Sequence, residues 1–454
     1  MEDRHPIPEA ASCRMPGGLS AHIRVDEVLR TIPSKTLSID DTLTLKDGNL
    51  FFLCKTFGDV PFPEECAEGL YYHDCRFLDG YELRLADRPM ETLVSTAGRG
   101  DEALIELTNP DLYHPAGDLF AQSEEIGIKW MRRLDESTLS LHDEIALRNF
   151  GPRTLTLPVT LRFKAGFQDI FAVRSLLDQQ RGTALPPEWR DGCLHFRYDG
   201  CDRVTREVWV CPRTAPTLTE ADRMVFEVSL GPRAEQTIAL SVCIAESASE
   251  AAGVAPMAAG QVPPRPSAHD PQTRQHRRRA GRPGGATQVR SSSLLVDGII
   301  SRSRRDLRML RSSIDGEDYY AAGVPWFATL FGRDSIVAAL QMLPYNAAPA
   351  AQTLRVLAKY QGREHDPWRE EEPGKIMHEI RVGELARTGA VPHNPYYGTV
   401  DATPLFLILV AQHHAWTADN ALIEELLPAI EAAGEWMRAG DRSSGYITYA
   451  STSS

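Results

Sequence analysis

The chain has no Cys-x-x-Cys pair, and none of its eight cysteines lies beyond Cys243. A paired-cysteine zinc site therefore has no support. Thiols scattered through 454 residues read as reduced, and the expected location is cytoplasmic. No stretch of eighteen or more residues is uninterruptedly apolar, so no membrane span is expected. The opening "MEDRHPIPEAASCRMPGGLS" lacks the apolar segment of a secretory leader. There is no Gly-rich phosphate loop, nucleophile elbow or dinucleotide fingerprint. Positive charge is also scarce: 49 Lys and Arg against 62 Asp and Glu leave a net charge of −13. That balance disfavours a nucleic-acid partner.

What is present describes a multidomain globular chain. Hydrophobic residues make up 42%, enough for a substantial core in two or three domains. Residues 1–34 read as a flexible N-terminus. From 35 to 246 the apolar period is two. "LTLPVTLRF" puts Leu155, Leu157, Val159, Leu161 and Phe163 on one face. "MVFEVSL" and "TIALSVCI" alternate in the same way. Such runs, broken by Gly, Pro and Asp turns, predict half-buried antiparallel strands and a β-sandwich. Pro158, on the polar side of its strand, predicts an edge or a bulge.

Residues 247–295 are rich in Ala, Pro, Gly and Arg and poor in large apolar side chains. Such a segment buries too little surface to offset its conformational entropy, and reads as a disordered linker. From 296 to 454 the period becomes helical. "IISRSRRDLRMLRSSI" aligns Ile300, Leu307, Leu310 and Ile314, with arginines opposite. Further helices are expected at about 335–343, 349–361, 404–417 and 420–438, the last kinked or split by Pro428.

Three clusters in this last part carry polar chemistry. In "PWFATLFGRDS" the aromatics Trp326 and Phe327 precede Arg333–Asp334. Asp334 suits the N-cap of a helix starting at Ser335. Arg, Asp and an aromatic face equally suit a sugar ring, with its hydroxyl rim and C–H faces. In "GKIMHEIRVGELA", His378–Glu379 lacks the second histidine of a zinc-protease motif, because position 382 is Val. Glu379, Arg381 and Glu384 are either a solvated charge cluster or the wall of a cleft. In "NPYYGTVDATPLFLIL", Pro404 fits the first helical position and makes Thr403 the cap. Asp401 is then not needed for capping. With Tyr396 and Tyr397 it is a site candidate, and otherwise a turn aspartate.

These stretches carry a family likeness. "VPWFATLFGRDSIVAALQML", "GKIMHEIRVGELA" and "PYYGTVDATPLFLILV" resemble bacterial amylo-alpha-1,6-glucosidase-like proteins of the glycogen-debranching type. "GLYYHDCRFLDGYELRLADRPM" and "GFQDIFAVRSLLDQQRGT" resemble that family's N-terminal domain. The resemblance implies an N-terminal antiparallel β-sandwich followed by part of an (α/α)6 toroid, with sugar held by loops at one end. By that likeness Arg333 and Asp334 hold the non-reducing sugar, and Asp401 and Tyr397 line the same pocket. Trp326 and Glu379 complete the expected substrate-binding set.

The implied reaction is glycoside hydrolysis with inversion, by two carboxylates and water, with no metal or organic cofactor. The family's proton donor and base have no counterpart among these motifs, so no catalytic residue is assigned. The chain is expected to be a C-terminally truncated member, inactive or weakly active. The expected partner is an α-glucan or small glucoside; no oligomeric state is implied. Alternatives are a non-catalytic carbohydrate-binding protein working through the sandwich, or a hydrolase of mannosylglycerate or trehalose.

Overall fold

A computed structural model describes residues 41–62, 66–98, 100–113, 117–177, 182–248, 287, 289–440 and 447. The expectations for residues 1–34 and for nearly all of 249–288 lie outside them. Between Thr42 and Ala248 the described chain is mostly strand, and every strand pair is antiparallel.

The largest sheet runs in space as Thr183–Ala184, Cys193–Asp199, Val204–Pro212, Glu235–Ala248, Ser140–Asn149, Ile126–Asp135, Glu102–Thr108 and Glu91–Thr96. A four-stranded sheet (Leu218–Thr219, Arg223–Leu230, Leu155–Lys164, Gly80–Leu85) and a five-stranded one beginning at Thr42–Asp47 share its apolar core. The period-two residues are those that form this core. Leu155, Leu157, Val159, Leu161 and Phe163 are all buried, and so are Met224, Phe226, Val228 and Leu230.

Pro158 lies not on an edge but in a strand flanked on both sides; it is one residue beyond the register with Gly80–Leu85, where its carbonyl accepts the Ala86 N–H at 2.9 Å. Inside the core, Arg132 and Asp143 form a buried ion pair at 3.2 Å. The Arg132 guanidinium lies 3.8 Å from the Trp130 ring centre, and Tyr81 Oη donates to Asp143 at 2.6 Å. Burial of both charges is tolerated because each is paired and hydrogen-bonded.

One expectation needs correction. Cys193 and Cys211 face each other across adjacent strands, with Cα atoms 4.4 Å apart, and form a disulfide. Strand pairing, which a cysteine census does not contain, brings the two together. Cys54, Cys75 and Cys243 are buried thiols outside any disulfide.

The second half holds five helices of more than two turns among its described residues. They are α1 (Leu294–Met309), α2 (Gly332–Met342), α3 (Ala348–Lys359), α4 (Ala402–Thr417) and α5 (Asn420–Ala439). Ile336, Leu354, Leu357, Phe406, Leu409 and Leu422 are buried in a second core. Pro428 neither splits nor ends α5. Pro428 and Glu424, whose carbonyl it leaves without a donor, both lie on the exposed face, where water can satisfy that carbonyl. None of the helices is long and apolar enough to cross a membrane.

A third apolar cluster joins the halves. Phe51, Tyr71, Ile170 and Phe171 of the sandwich pack with Leu385, Ala386 and Val391, and Trp326 lies against them.

Candidate functional site

The three polar motifs meet because their backbones pair. Phe331 bridges Glu379, and Glu379 bridges Tyr396, both antiparallel. The Gly332 N–H donates to the His378 carbonyl at 2.8 Å. A Cβ at position 332 would sit 2.2 Å from the Met377 oxygen, so only glycine lets the start of α2 approach this segment. That contact sets Arg333 and Asp334 at the rim.

The helix starts differ from expectation, for a physical reason. Helix α2 begins at Gly332, so Asp334 lies in its first turn and makes no cap bond. There its charge faces the positive end of the helix dipole. Helix α4 begins at Ala402, with Asp401 in the cap position but forming no side-chain cap bond. Thr403 is inside the helix, and its hydroxyl accepts the Ile376 N–H at 2.9 Å.

Arg333 lies between the two aspartates. Its Nη1 is 3.2 Å from Asp401 Oδ2, and its Nε is 3.6 Å from Asp334 Oδ2. The three side chains are 36–48% exposed, so their remaining donors and acceptors face solvent. Asp401 also accepts from the Thr399 hydroxyl. Burial alone would raise the Asp401 carboxyl, but the Thr399 and Arg333 hydrogen bonds outweigh it and hold the group below its ordinary value. Arg333 and Asp334 also border a cleft of about 370 Å³ walled by Leu307, Leu310, Tyr320 and Val337.

The other expected site residues are placed elsewhere. Tyr397 is buried in the helical core, and its hydroxyl donates to the Tyr360 carbonyl at 2.9 Å. Its neighbour Tyr396 is the one near the cluster, with its ring 6.1 Å from that of His378. Trp326 packs in the interface between the halves, and its carbonyl accepts from Arg381 Nη2 at 2.9 Å. Glu379 is buried, accepting from Arg381 Nε at 2.8 Å, with His393 Nε2 at 3.4 Å.

The charges of "HEIRVGE" are therefore not solvated. Arg381, 2% exposed, reaches the sandwich: its Nη1 is 3.0 Å from Asp74 Oδ1. Glu384 accepts from Tyr198 Oη at 2.6 Å and from the Cys201 N–H at 2.7 Å. Asp169 accepts the Leu385 N–H at 3.1 Å. This motif latches the two halves together.

Residue patterns weighed His378 only as half of an incomplete zinc motif and passed over His393; both stand beside Glu379. Burial is the main reason both imidazoles lie below their ordinary value. His378 adjoins Glu379 within its motif, whereas His393 lies just before the third motif and carried no signal of its own. Among the described residues, no three His, Cys, Asp or Glu side chains gather as a metal site would need.

Residues 45–241 match the family described as the N-terminal domain of (some) glycogen debranching enzymes. Comparison with curated proteins gives no match. A chain assigned as a kojibiose phosphorylase, from the human microbiome, aligns with 91% of this chain and 58% of its own, at 9% identity and a TM-score of 0.53. A bacterial glucoamylase complexed with acarbose aligns over 88% and 60%, at 11% identity and a TM-score of 0.46. The chain thus spans less than two thirds of either structure, and identities this low speak to fold alone. Over residues 45–241 the sandwich is thus similar to the N-terminal domain of (some) glycogen debranching enzymes, and the chain has the order of a β-sandwich followed by part of an (α/α)6 toroid.

Proposed function

We propose that this chain belongs to an α-glucosidase of the amylo-1,6-glucosidase type, acting in α-glucan metabolism, and that it grips the terminal sugar at Arg333, Asp334 and Asp401. The observation that carries the reading is the convergence of these three side chains from the starts of two helices far apart in sequence. A guanidinium fork between two carboxylates offers fixed donors and acceptors to adjacent hydroxyls, and charge-assisted hydrogen bonds are the stronger kind. Residues 35–246 are taken as the sandwich domain, 247–295 as the connection and 296–454 as the helical domain.

Inverting hydrolysis needs an acid that holds its proton and a base about 6.5–9.5 Å away. A general acid works best with its pKa near the operating pH. Asp401 is shifted the other way, and Glu379 is committed to Arg381. Both therefore bind or support rather than transfer protons, and turnover by these residues alone is expected to be slight.

Titration calorimetry of the whole chain with maltose and isomaltose tests the assignment. Arg333→Ala removes the fork and should weaken binding about tenfold or more, the scale of a lost charged hydrogen bond. Asp401→Asn should do nearly as much. Affinity unchanged in both variants contradicts the reading.

A further inference from the structure

The outer face of the nine-stranded sheet, away from the shared core, carries a cleft of about 550 Å³, which is within the size range of small-molecule sites. Strand register explains its lining. Arg133 stands opposite Glu102 on one neighbour and His142 on the other. His142 stands opposite Ser241 on the next strand. Side chains so paired lie about 5 Å apart, and one row of polar groups therefore crosses four strands. In the adjacent row Met131 stands between Leu104 and Glu144.

The row is recessed and ordered. His142 is 9% exposed although it is on the outer face. Its Nδ1 is 2.9 Å from Ser241 Oγ, and Arg213 Nη2 donates to that hydroxyl at 3.1 Å. Beneath the row lies the Arg132–Asp143 ion pair, with side chains 0% and 1% exposed, which stiffens the floor. Among the described residues, neither the Arg133 guanidinium nor the Glu144 carboxylate has a side-chain partner, and both line the cleft. Met131, 47% exposed, adds an apolar surface beside them.

We propose that this cleft is a second ligand site, on the sandwich, for a neutral saccharide of two or three rings. The charge pattern selects that class. Arg133 and Arg213 would attract an anion, but Glu102 and Glu144 in the same walls repel it. A polyhydroxylated neutral ligand uses both signs at once, because each hydroxyl donates and accepts. Met131 and Leu104 then face the C–H side of a ring. The site is separate from the Arg333 cluster, and the argument for it does not rest on that cluster.

The test uses the whole chain carrying ¹³C-methyl methionine, with the Met131 signal assigned by Met131→Leu. Maltotriose, isomaltotriose and cellotriose are added in turn. At least one should move the Met131 methyl saturably, in wild type and in Arg333→Ala alike. Arg133→Ala and Glu144→Ala should each weaken that response about tenfold or more, with the unfolding midpoint nearly unchanged, since neither group supports a described partner. The proposal is overturned if none of the three sugars moves Met131, or if both cleft variants respond as strongly as wild type. It is also overturned if inorganic phosphate moves Met131 while the sugars do not. Loss of sugar response at the Arg333 cluster with Met131 still responding would count against the helical site alone.

Discussion

At the residue scale, Gly332 and Arg333 act as a pair: one permits a close approach, and the other uses it. With Met377 oxygen 2.2 Å from a Cβ at 332, Gly332→Ala must push α2 away from the Met377–His378 segment. The expected result is a loss of about 1–3 kcal/mol in chemical denaturation, together with weaker sugar binding, because Arg333 and Asp334 move with the helix. Tyr397→Phe should separate these two effects. It leaves the half-buried Tyr360 carbonyl without this donor, so stability should fall by about 1 kcal/mol. Sugar affinity should hold, because the ring is in the core. Arg333, Asp334 and Asp401 stood out in sequence as polar residues near helix starts, although both helices begin earlier than the capping pattern implied. Tyr396 and Tyr397 were not separable, since adjacent residues in an extended segment face opposite ways and nothing local says which way is in.

At the element scale, the strand pattern was legible almost throughout, because one face of each strand meets a dry core and alternation follows. The disulfide and the latch were not. Cys193 and Cys211 are 18 positions apart, and Asp74 and Arg381 are 307 apart, so only pairing and docking reveal them. Closing the short loop between the two cysteines in the unfolded chain is worth about 3 kcal/mol. Reduction, or Cys193→Ser, should lower the unfolding midpoint of the sandwich accordingly.

The docking strand end also carries a pH dependence. Burial pushes the Asp169 carboxyl up to about 6 from an ordinary 3.8, against the lowering pull of the Phe171 and Leu385 N–H groups. Between these values the folded chain keeps a proton that the unfolded chain has released. The resulting stability is fully present below about pH 4 and lost as pH rises through 6, by about 3 kcal/mol at most. Denaturation midpoints measured across that window should slope downward in wild type. In Asp169→Asn the slope from this group should vanish, although the variant starts from lower stability because an amide cannot accept both N–H groups as a carboxylate does.

At the scale of the whole molecule, the apolar interface and the buried latch are expected to make the two halves unfold as one unit. Arg381 donates to Glu379, to Asp74 and to the Trp326 carbonyl from three different nitrogens. Lysine has no such fork. Calorimetry should show a single unfolding transition in wild type. Arg381→Ala strands two buried carboxylates, at a cost of about 3–5 kcal/mol, and should split the transition in two; Arg381→Lys should not restore it. Two transitions in wild type would remove the latch from the account. The order of strands then helices was readable from the change in apolar period, whereas the docking of one half on the other was not, because its polar partners are solitary charges within otherwise ordinary motifs.

The central claim is that Arg333, Asp334 and Asp401 form one saccharide-gripping group. A crystal structure of the whole chain soaked with maltose tests it most directly. The account predicts an ordered pyranose with hydroxyls within hydrogen-bond distance of all three side chains. A soaked crystal in which that cluster keeps only solvent, with sugar absent or bound solely on the sandwich, would contradict it.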